Sequence, residues 1–71
     1  MDIEHLVKMA NQIGDFFAAY PDRDQAEVEV ASHLERFWAP RMRSAILAHL
    51  RDHEGAGLNA LARAAVQRLR D

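Results

Sequence analysis

Pro21 and Pro40 constrain this chain more than any other pair of residues. Proline has no backbone N–H, and its ring collides with the preceding turn, so it breaks a helix interior yet suits a first turn. It also pushes the residue before it out of helical geometry. Whatever helices the sequence forms must therefore break near Tyr20 and again near Trp38. Between and beyond those breaks the apolar residues recur at helical spacing, and the chain reads as all-α.

The first helix is expected over residues 2–19. Ile3, Leu6, Val7, Ala10, Ile13, Gly14 and Phe17 fall on one face at the 3–4 spacing of an amphipathic helix. At about 100° per residue, Met9, Phe16 and Tyr20 lie beside that stripe and widen the apolar arc to roughly half the circumference. A surface helix needs an arc of about 100°, so this one is expected to pack against two surfaces. Asp22 is a suitable N-cap for the second helix, with Gln25 completing a capping box, and Asp24 with Glu27 is a rival pair. That helix carries Ala26, Val30, Leu34, Phe37 and Trp38 on one side and turns Glu29, Ser32 and Glu35 away. Pro40 opens a third, whose face is Met42, Ile46, Leu50 and the rings of His49 and His53. Residues 54–57 form a stop in which Gly55 or Gly57 suits a left-handed C-cap. Asn59 can cap a short fourth helix with Leu61, Ala62, Ala65, Val66 and Leu69 as its face. The expected architecture is a small single-domain bundle of three to four short helices spanning residues 1–71.

Composition bounds what such a bundle can be. At 71 residues without cysteine, disulfides, thiolate metal sites and cysteine-ligated iron–sulfur clusters are closed to it. Packing alone, or packing completed by a partner, must hold the fold. The chain is 49% hydrophobic and 28% charged, a folding composition. Its net charge of -2 argues against nonspecific nucleic-acid binding. No apolar run approaches the ~20 residues that span a bilayer, and the opening Met-Asp-Ile-Glu-His is acidic where a signal peptide would be basic. A cytoplasmic location is expected.

Residues able to carry chemistry are few. His49 and His53 are spaced i, i+4, as paired metal-binding histidines are, but Leu50 stands where a zincin motif needs glutamate. The competing reading makes them the polar edge of an apolar face, or cations favoured near a helix C-terminus. Ser32 and Ser44 lack the glycine-flanked elbow of a nucleophile, and Gly55 and Gly57 lack a phosphate-binding pattern. No catalytic residue, cofactor site or metal site is expected in this chain. The segment Glu-Arg-Phe-Trp-Ala-Pro-Arg-Met-Arg at 35–43 stands out instead. Tryptophan and arginine are enriched in binding hot spots, and arginine can grip a carboxylate with two parallel hydrogen bonds. Phe37 and Trp38 could equally fill the core, or one could point inward and the other outward.

Two blocks carry a family resemblance. Leu-Val-Lys-Met-Ala-Asn-Gln-Ile-Gly-Asp-Phe-Phe at 6–17, with Tyr-Pro-Asp-Arg at 20–23, resembles the opening of the delta subunit of NAD-dependent formate dehydrogenase. Arg-Phe-Trp-Ala-Pro-Arg-Met-Arg at 36–43 resembles that family's central signature of Phe-Trp, one variable residue, then Pro-Arg-Met. Ala39 stands at the variable place. Leucines and glycine at 47–50 and 57–61 fit less specifically. The resemblance implies a non-catalytic accessory subunit that binds the catalytic alpha subunit, with beta and gamma subunits in the same complex. It implies that the parent complex, not this chain, carries a bis-pterin molybdenum or tungsten cofactor, iron–sulfur clusters, FMN and NAD.

The expected contribution is to holoenzyme assembly or stability. The alternative is a transient maturation chaperone for cofactor insertion, absent from the mature complex. A helix-turn-helix regulator also fits two helices joined near Pro40, but the acidic balance opposes it. Expected partner-binding residues are Met9, Phe16, Phe17 and Tyr20 on the first helix, and Phe37, Trp38, Pro40, Arg41, Met42 and Arg43 at the central joint. No nucleic-acid or membrane partner is expected.

Overall fold

Each helix begins where a side chain can satisfy its free N–H groups or where proline removes one. In the computed structural model, which describes residues 2–69, α1 runs Ile3–Phe17, α2 Arg23–Phe37, α3 Pro40–His53 and α4 Ala60–Gln67. The Asp2 carboxylate accepts from the Glu4 N–H at 3.0 Å to open α1. Asp22 opens α2 by accepting from the N–H groups of Asp24 and Gln25 at 2.9 and 3.4 Å. The reciprocal half of that capping box does not form, because the Gln25 amide donates forward to Glu29 at 2.7 Å. Pro40 occupies the first turn of α3, where its missing N–H costs no hydrogen bond. Asn59 opens α4 by accepting from the Ala62 N–H at 2.8 Å.

The helix ends depart from the sequence reading in two places. α1 stops at Phe17, short of Ala19, and the Tyr20 N–H donates to the Phe17 carbonyl across the turn. At the end of α3 the left-handed C-cap is Glu54, at φ 57°, and not Gly55 or Gly57. Those glycines follow it at φ 71° and 90°, so the turn needs several positive-φ residues and the chain supplies glycine for the later ones. Arg63 Nε donates to the Glu54 carbonyl at 3.0 Å and helps to hold this bend.

α1 and α4 form the centre of the molecule. α2 packs on both, and so does α3, while α2 and α3 barely meet. The core is therefore shared: Leu6 and Ala10 from α1, Ala26, Val30, Ala31 and Leu34 from α2, Ile46 from α3, and Leu61, Ala62, Ala65, Val66 and Leu69 from the last segment. Ala31 joins the expected face of α2 because α4 covers a second side of that helix. Gly14 lets α1 and α4 approach closely: a Cβ there would lie 3.5 Å from Ala62 Cβ and 3.2 Å from Asn59 Oδ1. Polar bonds lock the same crossing. The Asn59 N–H donates to Asn11 Oδ1 at 2.8 Å, and Asn11 Nδ2 donates to the Gly57 carbonyl at 2.9 Å. The Cα radius of gyration is 10.8 Å, against roughly 11 Å for a compact domain of this length. Among the described residues no helix is long and apolar enough to cross a membrane.

Candidate functional site

Because α2 and α3 flank the α1–α4 pair without closing on each other, one edge of α1 stays uncovered near the central joint. A groove of about 460 Å³ lies there, lined by Met9, Gln12, Ile13, Phe16 and Phe17 from α1, His33 and Phe37 from α2, Trp38 from the joint, and Met42 from α3. Its position follows from the backbone. Trp38 leaves α2 in an extended conformation, at φ -83° and ψ 138°, as a residue just ahead of the Pro40 turn can. This swings its indole inward, where only 5% of the residue remains exposed. Phe37, still helical, stays outside at 66% exposure. Of the placements left open for this pair, the structure has one ring inward and one outward: Trp38 takes the interior place, and Phe37, expected on the same side of α2, forms the rim.

Aromatic rings run continuously along this edge. Phe16 and Phe17 meet edge to face with centroids 5.0 Å apart, and Phe17 meets Tyr20 at 5.6 Å. His33 lies between Phe17, at 6.3 Å, and Phe37, at 4.7 Å. The Arg36 guanidinium sits over the Phe37 ring, 5.4 Å from its centroid. Such pairs hold ring orientations at modest energy, about 0.5–1.5 kcal/mol each. Phe16 remains 74% exposed and Tyr20 40%. Large apolar side chains grouped this way on so small a protein make an exposed patch of the kind that interaction sites use.

Of the ten residues expected to bind a partner, Met9, Phe16, Phe17, Phe37, Trp38 and Met42 line this one groove. Tyr20 sits beside it through its contact with Phe17. Pro40 and Arg41 are exposed in the first turn of α3, next to Met42. Arg43 is placed differently. It turns back on its own chain and donates from Nη1 to the carbonyls of Trp38, at 2.6 Å, and Glu35, at 3.2 Å. These are carbonyls left free where α2 ends, so Arg43 serves as a C-terminal cap. Gln12, Ile13 and His33 also line the groove and were not among the expected residues. Helical spacing held a clue to two of them: Gln12 falls between Met9 and Phe16 on the edge of α1, and His33 is one turn before Phe37.

Elsewhere several polar side chains are engaged with their own chain. Arg68 is held by Asp24 and Glu27, whose hydrogen bonds push its pKa up. The Arg51 hydrogen bond holds the Asp52 carboxyl below its ordinary range. His49 and His53 lie with ring centroids 5.6 Å apart, and His49 Nε2 is 2.8 Å from the Ala56 carbonyl. Among the described residues no three His, Cys, Asp or Glu side chains converge to hold a metal ion.

The family described as "NADH-dependant formate dehydrogenase delta subunit FdsD" matches residues 5–66. No curated protein and no solved structure matches the chain. The family match takes in both sequence blocks and every residue of the groove, and the chain belongs to that family.

Proposed function

We propose, from that membership, that the chain is a non-catalytic accessory subunit that docks on the large catalytic alpha subunit of a formate dehydrogenase and supports assembly or stability of the holoenzyme. The observation that carries this reading is the groove. Its rim holds Phe16 and Phe37 at 74% and 66% exposure, apolar surface that a free monomer gains nothing by displaying. The absence of cysteine keeps the chain out of a thiolate-ligated electron relay. The electron path, from formate through the metal centre, iron–sulfur clusters and flavin to NAD, then belongs to the alpha, beta and gamma subunits.

The test is co-purification. Tagged chain is expressed with the alpha, beta and gamma subunits, and captured material is assayed for subunit ratio and formate-dependent NAD reduction. A constant proportion of this chain to alpha, tracking activity, supports the accessory-subunit reading. Capture confined to inactive, cofactor-poor alpha would replace it with a transient maturation chaperone. Capture of no large subunit would sink both.

A further inference from the structure

We propose that the occupant of the groove is an amphipathic helix of the catalytic subunit whose apolar face is flanked by carboxylates, which pair with Arg36 and Arg41. The inference rests on the docking reading above and specifies its partner.

The charge pattern leads to this class of partner. Among the described residues no acidic one lines the groove, although the chain as a whole is acidic. Asp24 and Glu27 are taken up by Arg68, Glu29 by Gln25, Asp52 by Arg51, and Asp15 by Asn59. The cations show the converse. Among the described residues, Arg36 and Arg41 have no carboxylate partner, while Arg23, Arg51 and Arg68 do. Arg36 lies over the ring of Phe37, a rim residue. Arg41 is exposed and precedes Met42, a lining residue, in the sequence. An apolar trough whose rim ring lies under Arg36, with Arg41 exposed at the start of the helix that carries Met42, complements an apolar segment with acidic flanks.

The shape favours a helix. The groove walls come from helices whose backbone groups are already bonded internally, and the described residues contain no strand whose edge could pair with an extended peptide. An occupant must therefore satisfy its own backbone, as a helix laid in a groove does. A second copy of this chain fits poorly. A two-fold contact places the same patch on both partners, so Arg36 and Arg41 would face the same cationic groups across the interface.

The experiment uses the full chain and the purified alpha–beta–gamma complex. Rates and affinities are measured at low and moderate salt for the wild type, for Arg36→Glu with Arg41→Glu, and for Phe16→Ser with Phe37→Ser. Circular dichroism checks that each variant is folded. The charge reversal is expected to slow association about tenfold or more and to flatten its salt dependence. Loss of binding with the phenylalanine variant establishes that the groove is the docking site. Retained binding there, with unchanged affinity, overturns both the groove and this inference. If the phenylalanine variant fails while the charge reversal binds at the wild-type rate, the docking reading stands and the acidic-partner inference falls.

Phe16→benzoylphenylalanine then photo-crosslinks the occupant. Capture of a segment with apolar residues at i, i+3 or i+4 and i+7, bordered by Asp or Glu, supports the inference. Capture of a basic or extended segment overturns it. So does sedimentation of the wild type as a dimer that the phenylalanine substitutions dissociate.

Discussion

Phe37 and Trp38 show how much one peptide unit can change. Adjacent in sequence, they differ in exposure from 66% to 5%, because the first is helical and the second is already extended. Their substitutions should therefore separate cleanly. Trp38→Ala removes a buried ring and is expected to cost about 3–5 kcal/mol, a large part of what so small a domain possesses. Phe37→Ser should change stability by no more than about 0.5 kcal/mol. Urea denaturation of both variants checks this, and equal losses would contradict the inward and outward placement. Arg43 makes a second test at the same scale. Arg43→Ala leaves the Trp38 and Glu35 carbonyls without their donor and is expected to cost on the order of 1–2 kcal/mol. A normal unfolding midpoint joined to weakened docking would make Arg43 a partner contact after all.

At the scale of elements, α4 is only eight residues long, too short to be stable by itself. It depends on its cap and on what it packs against. The Asn59 side chain does both tasks, accepting from the Ala62 N–H to close the first turn and donating from Nδ2 to the Asn11 carbonyl of α1 at 3.4 Å. Asn59→Ala is expected to cost about 1–2 kcal/mol, read as a lower thermal midpoint, and an unchanged midpoint would mean that packing alone seats the helix. Most of this element order was legible in advance because its causes are local. Prolines at 21 and 40, the carboxylate of Asp22, and the amide of Asn59 act within a turn of where they stand, as the unforeseen Asp2 cap also does. Glu54 as a C-cap was not legible, since nothing about a glutamate followed by Gly55 announces positive φ; the bend is imposed by the bonds that α3 and α4 make around it. The groove was half legible for a related reason. Its bulky residues announce themselves by type, but Gln12 and His33 belong to it only because α1 and α2 pass each other there, and the bonds of Arg43 to the end of α2 depend on how the joint folds back.

Across the whole molecule, the sequence order of the helices differs from their order in space. The central pair is α1 and α4, the first and last helices in the chain, with the middle two packed on either side. A chain ending after residue 58 is therefore expected to lose its cooperative thermal transition altogether, since Leu6, Ala10, Val30 and Ile46 would lack the surface that buries them. Circular dichroism of that fragment checks the point, and a sharp melt would show that α1, α2 and α3 suffice. This arrangement bears on synthesis. Residues of α4 are made after the other three helices, so the interior cannot close, nor Trp38 settle into the groove wall, until α4 has been translated. Until then the nascent chain has no finished groove to offer.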